Sequence, residues 1–244
     1  MKQKIKAVVL AAGKGTRLHS NEETGPKVMR EIHGKPMLWY VLQSLSFVDK
    51  CDTVIVVGYK KDEVIDYFGG YSFAIQAEQL GTGHAVMAAE AELVGFDGDV
   101  LVCYGDMPAM RRETYEALVR THFEERNDCT ILTGESSLPL PYGRIVRGQD
   151  GEFQRVVEDR DCTPEQRGIT ELNSGVYMFR TELLLSALKN LKNDNNQGEY
   201  YLTDVPAIMK FNGAKVGIAK RNLQDEIMGV NTPDQLKRME DILR

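Results

Sequence analysis

Cysteine is scarce and scattered in this chain. The four thiols, Cys51, Cys103, Cys129 and Cys162, form no C-x-x-C pair and have no histidine at metal-ligand spacing. That excludes a zinc ribbon and a disulfide scaffold, and it reads as reduced thiols in a cytoplasm. No apolar run approaches the roughly 18 residues of a membrane span. The opening Met1-Lys2-Gln3-Lys4-Ile5-Lys6 runs into a strand pattern rather than a signal-peptide core, so neither export nor a membrane partner is expected. Low-complexity tracts, internal repeats and Pro/Gly/Ser-rich linkers are also missing, which favours one domain over 1–244 with two lobes that meet at about 135/136. Positive charge is in deficit: 30 Lys and Arg stand against 36 Asp and Glu. A general nucleic-acid surface is therefore not expected, although a local basic site for a small anion is compatible with that balance.

What remains is an ordinary globular composition, 42% hydrophobic and 27% charged over 244 residues. A chain of this length buries about 70% of its unfolded surface and needs no metal or disulfide staple. Short β-branched runs at 5–10, 53–57, 73–75 and 100–104 alternate with helical spacing at 36–47, 61–68, 83–94 and 112–125. This alternation predicts an α/β fold: a Rossmann-like, mainly parallel sheet flanked by helices. The second half predicts a hairpin, 143–146 and 153–158, around the turn Gln149-Asp150-Gly151. Strands at 171–179 and 215–219 and helices at 182–191, 201–211 and 233–243 complete the pattern. The antiparallel hairpin makes a smaller lobe, and the cleft between the lobes is where a ligand is expected.

The first strand leads into Leu10-Ala11-Ala12-Gly13-Lys14-Gly15-Thr16-Arg17, a small-residue loop with two cations at the carboxyl end of a parallel strand. Open α/β sheets bind ligands at that edge. Small residues let backbone N–H groups approach a phosphate, and Lys14 and Arg17 balance its charge. A plain tight turn is the alternative for a lone G-x-G. The dinucleotide fingerprint fails because Leu18 stands where its third glycine belongs, and no G-x-x-x-x-G-K-[ST] loop occurs.

Pro26-Lys27-Val28 and Gly34-Lys35-Pro36-Met37 follow, and with them the start of the chain resembles the sugar-1-phosphate nucleotidyltransferases. Further motifs appear in order: Gln76-Ala77-Glu78-Gln79-Leu80-Gly81-Thr82-Gly83-His84-Ala85, Tyr104-Gly105-Asp106-Met107-Pro108, Tyr142-Gly143-Arg144-Ile145, Val157-Glu158, Glu171-Leu172-Asn173-Ser174-Gly175, Gly198 through Asp204, and Gly229-Val230-Asn231. Together they resemble the uridylyltransferase half of the bacterial bifunctional N-acetylglucosamine-1-phosphate uridyltransferases, over nearly the whole chain.

The resemblance implies UTP and N-acetylglucosamine-1-phosphate as substrates and Mg²⁺ as cofactor. It implies metal ligands Asp106 and Asn231, and catalytic roles for Arg17, Lys27 and Asp106. The nucleotide goes to Leu10, Ala11, Ala12, Gly13, Lys14, Gln76, Gly81, Thr82, Tyr104 and Gly105. To the sugar phosphate it gives Gly143, Glu158, Asn173, Tyr201 and Thr203. Each has a plainer alternative: Asp106 as a turn cap, Gln76 as a polar strand end, Gly81-Thr82 as a helix cap, Gly143 as a hairpin opening, Tyr201 as packing, and the cations as solvated charge. Such a site needs no general base, because a sugar phosphate is already an anionic nucleophile that requires alignment and charge neutralisation.

Two departures from the family are visible. Asn21-Glu22-Glu23-Thr24-Gly25 is longer than the family's spacing before Pro-Lys, so the loop carrying Lys27 is expected to be placed differently, and Met29-Arg30 stands where Leu-His is usual. The bifunctional members continue into a β-helix of hexapeptide repeats that transfers acetyl groups and forms trimers. No such repeat occurs here, so neither property is expected of these residues. Transfer to another sugar phosphate or from another nucleotide, a silent nucleotide-sugar sensor, and a glycosyltransferase are the alternatives that the sequence leaves.

Overall fold

The computed structural model describes residues 3–18, 24–136 and 140–244. Most of the lengthened loop before Pro26 lies outside them. Among the described residues the strands are β1 (Ile5–Leu10), β2 (Glu31–Ile32), β3 (Lys35–Pro36), β4 (Thr53–Val57), β5 (Ser72–Ile75), β6 (Asp99–Tyr104), β7 (Cys129–Glu135), β8 (Arg144–Arg147), β9 (Phe153–Val157), β10 (Glu171–Arg180) and β11 (Val216–Arg221). The helices are α1 (Met37–Ser44), α2 (Lys61–Tyr67), α3 (Thr82–Ala88), α4 (Glu90–Leu93), α5 (Arg112–Glu124), α6 (Pro164–Arg167), α7 (Thr181–Leu188), α8 (Val205–Phe211) and α9 (Pro233–Ile242).

The main sheet runs β11-β7-β10-β6-β1-β4-β5, and the β8–β9 hairpin joins it at β10. The β6-β1-β4-β5 segment is parallel, as is the β7–β11 pair. Along this seven-strand path of described residues, β10 alone runs against both its neighbours, so it turns the parallel half into the mixed half. Alternation along β1 explains the two faces. Ala7, Val9 and Ala11 point into one apolar cluster with Leu38, Val41, Leu42 and Leu45 of α1 and its C-cap, at helical spacing. Val8, Leu10 and Ala12 point into the other, with Ala85, Val86, Leu93, Leu184 and Leu188. A sheet covered on both sides needs continuous apolar strands, which is how β1, β4 and β6 read in sequence.

Two expectations are refined and one strand is added. The helix expected over 83–94 is broken at Ala89, which leaves helical geometry (φ −89°, ψ 4°) between α3 and α4. The helix expected from Tyr201 starts at Val205, where Pro206 occupies the first turn, and a short 3₁₀ turn, Leu202–Asp204, precedes it. Strand β7 is not legible in the apolar pattern, because Thr130 and Thr133 interrupt its buried run. Both hydroxyls are satisfied in the interior, Thr130 by His122 (2.8 Å) and Asn127 (3.1 Å), and Thr133 by donating to Glu171 (2.9 Å).

β10 carries a bulge between Asn173 and Tyr177. Its freed groups are satisfied locally: Gly175 N–H donates to Asn173 Oδ1 (3.2 Å), Val176 N–H to Ser174 Oγ (3.2 Å), and Ser174 Oγ donates to the Leu132 carbonyl (2.7 Å). Gly175 has φ +79°, and a Cβ there would overlap the Tyr104 ring. The Asn-Ser-Gly motif thus lets the Tyr104 ring, at the end of β6, approach the backbone of β10 at Gly175. Gly175→Ala is expected to cost about 2 kcal/mol or more in urea unfolding, from backbone strain plus overpacking. An unchanged unfolding midpoint would show that Tyr104 does not depend on this bulge.

Candidate active site

The carboxyl ends of β1, β5 and β6 converge, and the hydrogen-bond ladder continues past them. Ala11 N–H donates to the Val56 carbonyl, Gly105 N–H to Leu10 and Gln76 N–H to Val57, all at 2.8–2.9 Å. These bonds hold the chain taut where side chains become small. A cavity of about 200 Å³ opens there, lined by Leu10, Ala11, Ala12, Gly13, Gln76, Gly81, Thr82 and Tyr104, and also by Lys27 and Asp106. Eight of the ten nucleotide candidates therefore share one wall with two of the three catalytic candidates. Gly105 is buried beneath, where a Cβ would stand 3.1 Å from Leu38 and 3.3 Å from Ala11. Lys14 lies outside the lining, exposed, with its ammonium 5.2 Å from the centre of the Tyr59 ring.

Positive and negative groups meet at the cavity's edge. Lys27, only 9% exposed, sits in a 3₁₀ turn (Lys27–Met29) and hydrogen-bonds both Asp106 Oδ2 and Asn231 Oδ1, the latter at 2.8 Å. Arg17 donates to the same Asn231 oxygen at 3.1 Å. Asn231 is held from behind, since its N–H and that of Thr232 donate to Gln235 Oε1 (2.7 and 3.1 Å) in the capping box that opens α9. Val230 N–H donates to the Asp106 carbonyl at 2.9 Å, which ties the two distant segments together. The Asp106 carboxylate faces a cation, and the N-cap of the next helix, α5, is Arg111 instead.

An ammonium bridging one carboxylate and one amide oxygen shows that this point favours positive charge. Among the described residues no group of three or more His, Cys, Asp or Glu could hold a metal. The pair Asp106 and Asn231 instead matches the sparse oxygen set of Mg²⁺, which keeps waters and takes substrate phosphates. The residues present fit that ion.

The sugar candidates join this centre by two seams. Gly83 N–H donates to the Tyr200 carbonyl (2.7 Å) and Tyr200 N–H to that of Leu80 (2.8 Å). Thr82 Oγ1 accepts from Leu202 N–H (3.0 Å), so it serves the neighbouring segment instead of capping its own helix. This seam sets the 198–204 motif beside 80–83. Farther along it, the Thr203 hydroxyl donates to Glu158 Oε1 (2.9 Å), and Tyr201, 6% exposed, receives Gln197 at 2.7 Å. On the other seam Gly229 N–H donates to the Tyr142 hydroxyl (3.0 Å), next to Gly143. Gly143 accepts from Asn173 N–H (2.8 Å), and a Cβ on it would meet Val156 at 2.7 Å. Asn173 is partly engaged, because its amide donates to Tyr177 (2.7 Å) and accepts from Gly175.

Burial raises the Glu158 carboxyl above its ordinary range, against the Thr203 bond that lowers it, and Asp204, Asp161 and Glu199 raise it further. The Tyr201 phenol is pushed up to about 12, chiefly by burial, so it stays a neutral hydrogen-bonding group. Four residues without an assigned role in the sequence belong to this site: Gln79 and Glu199 line the cavity, His84 contacts Gln76, and Tyr142 clasps Gly229. All four lie inside the ordered motifs, which was the only signal for them. A larger groove, about 1440 Å³, lies at the opposite ends of β1 and β6 and contains none of the candidate residues.

Residues 7–201 match the MobA-like NTP transferase domain. The chain is 42% identical over 239 residues to the bifunctional protein GlmU of Streptococcus thermophilus, and 44% to that of Streptococcus sanguinis. Each alignment covers 98% of this chain and 51% of the relative, so the chain spans about half the length of the curated relatives it matches. A Bacillus anthracis structure, assigned as a glucose-1-phosphate thymidylyltransferase and crystallised with sucrose, superposes with a TM-score of 0.74 at 19% identity over 99% of this chain and 96% of its own. That likeness speaks for the fold. On the match over residues 7–201, the chain belongs to the MobA-like NTP transferase domain family.

Proposed function

We propose that the chain transfers a uridylyl group from UTP to N-acetylglucosamine-1-phosphate, with Mg²⁺ as cofactor, giving UDP-N-acetylglucosamine and pyrophosphate. The observation that carries this reading is the Lys27–Asp106–Asn231 contact at the rim of the cavity between residues 10–13 and 76–82. It offers a cation position beside a recess of about 200 Å³ at the carboxyl ends of the strands. The 42–44% identity to the GlmU proteins supports the choice of nucleotide and sugar. So do the ordered motifs through Asp204. We take the chain as one unit, with the nucleotide part at about 1–135 and the sugar part at about 136–244, in a cytoplasm compatible with its free thiols.

An oxygen of the sugar phosphate attacks the α-phosphorus in line, a new P–O bond forms, and the bond to the β-phosphate breaks with pyrophosphate as leaving group. No proton has to move in that step, so the protein's task is alignment and charge. Backbone groups of Leu10 through Gly13 cradle the nucleotide. Lys14, Arg17 and Lys27 face the phosphates, and Glu158, Asn173, Thr203 and Gly143 orient the sugar. When bound, Mg²⁺ would be held by Asp106 and Asn231 and would neutralise charge on the phosphates.

The test is pyrophosphate release with Mg²⁺, crossing UTP, CTP, dTTP and ATP with N-acetylglucosamine-1-phosphate and glucose-1-phosphate. Turnover confined to UTP plus N-acetylglucosamine-1-phosphate is expected. Another preferred pair would replace the specificity, and silence throughout would favour a sensor. Asp106→Ala is expected to lower kcat by about 100-fold or more; near-normal Mg²⁺-dependent rates would remove its role. Because burial raises the Glu158 carboxyl, its acceptor form is lost as pH falls through that raised value. The KM for the sugar phosphate should therefore climb on the acid side in the wild type, and Glu158→Gln should have a high KM that no longer varies there. An acid limb unchanged in Glu158→Gln would assign the effect to another group.

A further inference from the structure

The buried amide of Gln76 is locked in one orientation. Gln76 is 4% exposed at the end of β5, and its Nε2 lies 3.1 Å from the Gly81 carbonyl and 3.1 Å from His84 Nδ1. A carbonyl can only accept, so the amino group of Gln76 must face Gly81. Its second hydrogen then points at His84 Nδ1, which accepts it when the ring proton is on Nε2. Both amide hydrogens are engaged, and Oε1 is what Gln76 has left to offer a ligand.

The two acceptors are themselves fixed. Gly81 has φ +111°, and a Cβ there would come within 2.6–2.9 Å of Tyr200 and Glu199 atoms, so its carbonyl direction is set by the seam with Tyr200. His84 follows two residues after Thr82 on α3, and its ring centre lies 6.4 Å from that of Tyr200. Gln76 and Gly81 line the cavity, whereas His84 stands behind Gln76 and outside the lining. It acts on a ligand only through the amide.

We infer that His84 is a positioning residue for base selectivity: by holding Gln76 with its oxygen toward the cavity, it matches a pyrimidine that presents an N3–H donor and disfavours one with a lone pair at N3. Uracil carries that donor between two carbonyls. Cytosine carries a lone pair there, which would oppose Gln76 Oε1. Without His84 the amide keeps only its bond to the Gly81 carbonyl, its orientation is held less firmly, and the distinction weakens. The inference deepens the uridylyl reading and rests on it.

The experiment compares UTP and CTP, by kcat/KM in pyrophosphate release and by equilibrium binding, for wild type, His84→Phe and His84→Asn. Phe keeps a ring without an acceptor; Asn has an oxygen able to replace Nδ1. In His84→Phe the UTP-to-CTP ratio should fall about tenfold or more, mainly through the KM for UTP, and His84→Asn should restore much of it. A wild-type ratio in His84→Phe, or parallel losses for both nucleotides, would overturn the inference while leaving uridylyl transfer intact. Wild-type protein that binds neither nucleotide, or turns over CTP better than UTP, would overturn both.

Discussion

A carboxylate at the rim of a buried sheet requires a cation, and at Asp106 that requirement organises the site. Lys27 answers it from a turn 79 residues earlier in the chain, Asn231 shares the ammonium from the far end, and Arg17 leans on Asn231. Remote segments thereby meet at one point, where the carboxyl ends of β1 and β6 leave small side chains to line a cavity. A low-dielectric surround makes such charge pairing strong and an unpaired partner costly. The same requirement can be met by a divalent ion, and the lysine would then be free to face a phosphate.

The remainder of the fold keeps that point rigid. β10 reverses the sheet's direction and, through its bulge, accommodates Tyr104. The seam between 80–83 and Tyr200 joins the cavity lining to the 198–204 motif by backbone bonds that do not depend on side-chain rotamers. Chemistry that relies on alignment rather than on proton transfer benefits from such fixed geometry, since small misplacements are expensive in rate. The groove at the opposite end of the sheet is larger, yet it contains none of the candidate residues.

Much of this was legible in sequence because each layer has its own pattern. The apolar runs of β1, β4 and β6 and the spacing of α1 and α5 follow from burial on both faces. The small-residue loop after β1 marks the ligand edge. β7 escaped because Thr130 and Thr133 are buried polar residues whose partners, His122, Asn127 and Glu171, are remote or on other elements. The binding candidates came from ordered motifs; eight of the ten nucleotide candidates line one cavity, and none of the five sugar-phosphate candidates does. The contact of Lys27 with the two metal candidates could not be read, since it depends on tertiary convergence across more than 200 residues. Nor could the orientation of Gln76, which depends on a carbonyl and a ring nitrogen. The part of the lengthened loop at 19–23 falls outside the described residues.

The proposed reading puts a divalent cation between Asp106 and Asn231, the two side chains that Lys27 contacts in this structure. The direct measurement is Mn²⁺ binding, followed by electron paramagnetic resonance in the absence of nucleotide and sugar phosphate, for wild type and Lys27→Met, with thermal unfolding to establish that both are folded. Tighter Mn²⁺ binding in Lys27→Met, abolished again when Asp106→Ala is added, is the result the account predicts. Equal or weaker binding in folded Lys27→Met would contradict it.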